Sequence, residues 1–278
     1  MMINPPPAQP FSVSRFFITV FFSLAALLAL LAIALPEVWR AQWNSSWQSI
    51  FTTFIAIHFF NSFPEFFFHR YILHAPLIPL LGHFYRQHTW HHSLTQVKPD
   101  KRSTVVKVSN NYPIARASQN EASFFPWYSV LAFNLVLAPV FLLGQWLLPN
   151  APVVLGGILA TTWQLVLYEI VHAVEHWPLE RWARFLQHPR WGNMWQKVYA
   201  FHLRHHADIR SNEAISGFFC LPISDWVFGT YKKPYSLYKD GREVLYSEFK
   251  SPTLRFGFMR WLDKIAARSV EDYLQKAA

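Results

Sequence analysis

Hydrophobic residues in this chain come in long blocks, and polar residues gather between them. Four runs carry almost no charge: 16–35, about 47–68, about 127–148, and one from 153 into Tyr168-Glu169-Ile170-Val171-His172. Each approaches the roughly 20 residues that a helix needs to cross the hydrocarbon core of a bilayer. The pattern predicts an all-α fold, an integral membrane bundle of about four transmembrane helices with a cytoplasmic helical cap. Pro149-Asn150-Ala151-Pro152 predicts a tight turn between the third and fourth runs. Ala32-Ile33-Ala34 resembles a cleavage site, so a secretory signal peptide competes for the first run; its length favours a retained helix. Residues 1–14 are polar and rich in Pro, which predicts a disordered tail. The rest, 15–278, reads as one membrane-embedded domain, ending in a surface helix over 259–275.

Charge gives this bundle a direction. Lys98, Lys101, Arg102, Lys107 and Arg116 follow the second run, and the stretch after Pro178 is also basic. The connections 36–46 and 148–152 carry only Glu37 and Arg40. Basic connections stay cytoplasmic, so both termini and the long polar segments are expected on that side. The formal charge of +9 then describes a surface beside anionic lipid. No nucleic-acid-binding motif accompanies it, and no nucleic acid is expected as a partner. Composition agrees, with 52% hydrophobic and 15% charged residues against about a quarter charged in soluble domains. Cys220 is the one cysteine, which excludes an internal disulfide and a cysteine-held iron–sulfur cluster. Its apolar neighbours predict a buried thiol.

The polar segments also hold most of the 13 histidines, in four clusters. They are His69-Arg70-Tyr71-Ile72-Leu73-His74, His88-Thr89-Trp90-His91-His92, His172-Ala173-Val174-Glu175-His176 and His202-Leu203-Arg204-His205-His206. On an α-helix, residues four apart lie within about 40° of each other, one turn apart. His172 and His176 can therefore grip one ion. In each H-x2-H-H cluster the outer pair has the same relation, and the middle histidine is turned about 100° from its neighbour, toward a second ion. His69 and His74 diverge by roughly 140° on a regular helix, so His74 is expected beyond the helix end, with Pro76 close behind. One H-x2-H-H would arise by chance with a probability of about 0.03; two, with two further pairs, point to a multinuclear metal site. His58 reads as a packing or pocket-wall residue and His188 as a surface residue; His83 also stands apart from the ligand set, with a place as a ligand or as a hydrogen-bond donor behind one its lesser alternative.

All-imidazole sites suit zinc, copper, nickel and iron. Ten ligands exceed what a hydrolytic zinc needs. Two six-coordinate ions with about five histidines each would keep one open position apiece, an arrangement suited to oxygen activation.

Here the sequence resembles the fatty acid hydroxylase and sterol desaturase superfamily of membrane di-iron enzymes. The resemblance covers roughly 47–232 and rests on HRYILH, HTWHHS, YEIVHAVEH and FHLRHH. The tail Pro222-Ile223-Ser224-Asp225-Trp226-Val227-Phe228-Gly229-Thr230 is similar to the family's W-D-x-x-F-G-T segment, with Ser224 at the Trp position. The third cluster, preceded by Tyr168-Glu169, is nearer to the fatty acid and ceramide hydroxylase branch than to carotenoid hydroxylases. The resemblance implies two iron ions, dioxygen as co-substrate, and two electrons used to hydroxylate or desaturate a lipid C–H bond. Helical spacing assigns His69, His74, His88, His92 and His205 to one ion, and His91, His172, His176, His202 and His206 to the other. Carboxylates behind the ligands should fix imidazole tautomers. Asp225 is the first candidate from its place in the tail, and Glu65 and Glu169 are alternatives at helical spacing. Electrons are expected from a separate donor protein docking on the basic cytoplasmic surface. The lipid is expected to be a fatty acyl chain, with a sterol, carotenoid or ether lipid as alternatives. A histidine-rich metal transporter and a metal-binding protein without activity are readings from other classes.

Overall fold

The computed structural model describes residues 12–101 and 105–277. Positions 1–11 of the expected tail, and Arg102, lie outside that range. The chain is mostly helical. Helix α1 (Val13–Ala34) is capped by the Ser12 hydroxyl, which accepts from the Arg15 amide. A short helix α2 (Pro36–Trp43) occupies the connection expected as loop, started by Pro36, whose fixed φ suits the first helical position. Helix α3 (Trp47–Phe68) has the Ser46 hydroxyl as its N-cap. Beyond a π-helical turn at His69–Leu73 comes α4 (Gly82–Leu94).

Strands β1 (Val97–Lys101) and β2 (Val105–Asn110) follow, then α5 (Ala117–Ser123), α6 (Ser129–Leu147) and α7 (Val153–Glu175). The remainder holds α8 (Leu179–Leu186), α9 (Gly192–Ala207), α10 (Ile223–Phe228), β3 (Glu243–Leu245) and α11 (Gly257–Ala277).

Three helices, α1, α6 and α7, are long and apolar enough to cross a membrane. Helix α3 matches their length, but Gln48, Thr52, Thr53, His58, Asn61, Ser62 and Glu65 dilute its apolar character. Helix α7 is mostly buried, whereas α1 and α6 present Phe21, Phe22, Ile33, Val136, Val140 and Trp146 outward. Small residues bring α7 close to its neighbours. A Cβ at Gly156 would stand 2.8 Å from Thr53 Cγ2, and one at Gly157 2.6 Å from the Phe141 ring. Polar pairs tie the same helices together: Asn61 donates to Thr161, and Asn134 to Thr162. At the end remote from the histidines, Gln42 bonds to Gln145, and their side-chain oxygens accept from the Leu155 and Val153 amides.

The all-α expectation missed a three-stranded antiparallel sheet in the order β1-β2-β3. Its sequence signal is the alternation over Val105-Val106-Lys107-Val108, which buries Val106 and Val108. Val97 and Val108 pack with Tyr112, Trp182, Tyr199, Leu203 and Tyr238. Two other expectations change. Helix α11 is no mere surface helix, since Met259 is fully buried and Ala266 nearly so, in a cluster with Phe66, Tyr71 and Phe228. Cys220 is exposed at the tip of a hairpin closed by reciprocal Phe218–Leu221 backbone bonds. Phe219 and Cys220 both have positive φ there, 49° and 65°, the backbone of a type I′ turn.

Candidate metal centre

The ten clustered histidines come from four elements and meet at one place. Helix α4 supplies His88, His91 and His92, and α9 supplies His202, His205 and His206. The end of α7 gives His172 and His176, and the π-helical turn gives His69 and His74. Nine of them form two groups: His91, His172, His176, His202 and His206 in one, and His69, His74, His88 and His205 in the other. His92 lies beside the second group, its Nε2 3.1 Å from His88 Nε2, with its ring stacked on His206 of the first. Eight are buried, and His74 and His92 are half-buried.

The π turn resolves the awkward H-x4-H spacing. The His74 amide donates to the His69 carbonyl, five residues back. A turn closed between i and i+5 stacks residues five apart on one face, and the two rings lie 4.9 Å apart. His74 is still at a helix end, as its spacing suggested, but the wider turn brings it under His69 instead of away from it.

Backbone oxygens fix four of the ring orientations. His69 Nδ1 donates to Glu213 O at 2.6 Å, His176 Nδ1 to Tyr112 O at 2.7 Å and His205 Nδ1 to Ser211 O at 2.8 Å. His206 Nδ1 donates to Thr95 O at 3.0 Å. A carbonyl only accepts, so each of these Nδ1 atoms carries the proton and each Nε2 presents a lone pair. His91 is held likewise: the Ser123 hydroxyl donates to Gln119 O and accepts from His91 Nδ1 at 2.8 Å. Burial keeps the rings uncharged, taking His69 down to about 4 and His176 to about 3. His88, His91, His92, His202, His205 and His206 are pushed well below the usual range by burial, and neighbouring imidazoles add to it.

The rings also meet one another at close range. Nε2 atoms approach at 2.9 Å (His74–His205), 3.1 Å (His69–His88), 3.2 Å (His74–His88), 3.0 Å (His202–His206) and 3.3 Å (His91–His172). His176 Nε2 is buried with no hydrogen-bond partner among the described residues. A buried acceptor without a donor is costly, and a cation at His176 Nε2 relieves it. For metal–nitrogen bonds of about 2.1 Å, adjacent ligands lie about 3.0 Å apart at right angles and about 3.4 Å apart in a tetrahedron. Three of the five spacings, 2.9, 3.0 and 3.1 Å, sit closer to the right-angled value.

The carboxylates stand one step further out than their spacing suggested. Asp225 accepts from the Glu213 and Ala214 amides, both at 2.9 Å, and from the Thr230 hydroxyl. It therefore holds the strand of backbone whose Glu213 carbonyl orients His69, without touching a ring. Glu65 receives the Ser216 and Gly217 amides, and Glu169 the Phe125 amide. Both tie loops to helices and leave His69 and His172 alone. The other histidines separate as well. His58 is buried and accepts from the Phe219 amide of the hairpin, and exposed His188 accepts from the Arg190 and Trp191 amides. His83 falls in neither group and packs on Phe84.

Thr95, Tyr112, Ser123, Ser211 and Glu213 escaped the sequence reading because four of them act through main-chain carbonyls, which leave no mark on residue identity. Arg70 was visible as a charge inside the first cluster; it is 6% exposed and paired with Glu213 at 2.7 Å. Against His88 lies a cavity of about 20 Å³, lined also by Leu73, Phe84, Gln87, Ser123, Phe125 and Tyr168. Compared with known proteins, the chain matches no family model, no curated protein and no solved structure.

Proposed function

We propose that the protein is a multi-pass membrane di-iron oxidoreductase that uses dioxygen and externally supplied electrons to hydroxylate or desaturate a C–H bond of a lipid, foremost a fatty acyl chain. The observation that carries this reading is the convergence of ten imidazoles, four of them with the Nε2 lone pair turned inward by a backbone carbonyl behind Nδ1. In this reading His69, His74, His88, His92 and His205 hold one ion, and His91, His172, His176, His202 and His206 the other. Iron bound there supplies the redox chemistry that activates dioxygen toward an unactivated C–H bond.

The chain's own residues would do the rest. The carbonyl and hydroxyl anchors would hold five of the rings, His69, His91, His176, His205 and His206, in one tautomer, which limits their reorganisation on a change of charge. The cavity lined in part by Phe84, Phe125 and Tyr168 adjoins His88, and it would be the place where the target carbon is held. The apolar helices α1, α6 and α7 support residence in a membrane, and α3 would be the fourth span. With basic segments cytoplasmic, both termini and the metal centre would face the cytoplasm. There the basic surface would receive an acidic electron-donor protein.

The test compares the lipids of cells with and without the gene by mass spectrometry, alongside metal analysis of the purified chain. Two irons per chain and a lipid species changed by one oxygen atom or two hydrogens are expected. No change in any lipid class would sink the oxidase reading, and a metal without oxygen consumption would leave a metal-binding or transporting protein.

A further inference from the structure

Arg70 sits between two histidines of the first cluster, yet it turns away from them into a buried ionic network. Its Nε and Nη2 donate to the two oxygens of Asp263 at 3.0 and 2.7 Å, a bidentate pair. Its Nη1 donates to Glu213 Oε1 at 2.7 Å and to the Arg210 carbonyl at 3.2 Å. The Tyr71 hydroxyl adds a bond to Asp263 at 2.9 Å. Asp263 belongs to α11, far along the chain from every histidine cluster.

Arg70 thus grips the segment 210–213 at both ends. That segment carries two of the carbonyls that orient the rings: Ser211 O holds His205, and Glu213 O holds His69. Asn212 between them has a φ of 54°, a left-handed conformation that needs support. Its side chain supplies some, bonding to the carbonyls of Phe201 and Lys232. His69 and His205 belong to the same group of four. The anchors of the other group are Tyr112, Thr95 and Ser123, none of which lies on α11 or bonds to Arg70.

Resting on the di-metal reading above, we infer that Asp263 is a positioning residue for one half of the centre. Through Arg70 and the 210–213 segment, α11 is a strap that holds the His69–His205 half and leaves the His172–His176 half to other supports. An ionic staple that only stabilised the fold would weaken both halves alike, so selectivity separates the two roles.

The experiment titrates the metal-free, full-length chain with Fe²⁺ under anaerobic conditions, where the wild type is expected to fill two positions. In Asp263→Asn, which keeps the shape and removes the charge, binding at one position should weaken about ten- to a hundred-fold while the other is unchanged. Combined with His88→Ala, the variant should keep one tightly bound ion, because both changes act on the same half. Combined with His176→Ala it should keep none at the concentration that fills one position in either single variant. Unchanged binding at both positions, or equal weakening at both in a chain that melts like the wild type, overturns the proposal. If Asp263→Asn does not fold, Tyr71→Phe, which removes one donor to the same carboxylate, must show the same selectivity at smaller size, and its absence there counts equally against the strap. A wild-type chain that takes up no iron would instead defeat the underlying metal reading, whatever Asp263 does.

Discussion

At the scale of single residues, five of the ten clustered rings are set by an oxygen behind Nδ1 as much as by their own position. Ser123 shows this most simply, because its one proton is committed to Gln119 O and it can only accept from His91. Ser123→Ala should release His91 to rotate, and metal affinity in the His91 group should fall about ten- to a hundred-fold; equilibrium dialysis of the variant checks this. Protonation gives a second expectation. His69 and His176 are held far below the ordinary value of 6.5, at about 4 and about 3. Between those values and 6.5 the unfolded chain binds protons that the folded chain does not, so stability rises with pH across the window. The metal-free protein should be most stable above about 6.5 and should melt at lower temperature as pH falls toward 4; a flat melting curve there contradicts it. Histidine positions were legible in the sequence because helical geometry ties spacing to direction. Their anchors were not, because a carbonyl belongs to every residue alike.

At the scale of elements, the long apolar helices announced themselves, and α3 spans the stretch expected of it. The π turn did not, since nothing in His69–Leu73 distinguishes a five-residue closure from a four-residue one. The sheet was readable in outline from its valines but was outweighed by the helical character of the rest. What it does for the site follows from its neighbours: it leads into Asn110-Asn111-Tyr112, where the Asn110 side chain fixes the Tyr112 amide and the Tyr112 carbonyl meets His176. Close packing sets the spacing of the helices that carry the clusters. Gly157→Val would drive a methyl-bearing carbon into the Phe141 ring, and overpacking of this kind costs about 1–3 kcal/mol. A lower melting temperature in detergent is expected, together with reduced metal content if α7 shifts relative to α3. Unaltered melting would mean that the α6–α7 contact yields more easily than its geometry suggests.

For the whole molecule, the proposed topology puts the histidine cluster on the cytoplasmic side, and that proposal is open to a direct test. With Cys220 replaced by Ser, a new cysteine at Ser45, between α2 and α3, should react with an impermeant thiol reagent from outside. One at Lys239, in the basic C-terminal segment, should react only after the membrane is opened. The reverse pattern would turn the protein over. The three long apolar helices were foreseeable, as their signal is length and composition. The docking of α11 was not, because a single Arg–Asp pair across nearly the whole chain has no local signature.

The strap also bears on the order in which the protein is made. Asp263 follows all four histidine clusters in the chain, so a ribosome completes every ligand before it delivers the residue that pins the 210–213 segment. One half of the centre would then be competent for metal while synthesis is still under way, and the other only after α11 emerges and docks. A nascent chain arrested before α11 should accordingly retain a single tightly held ion, and its release past Asp263 should bring in the second.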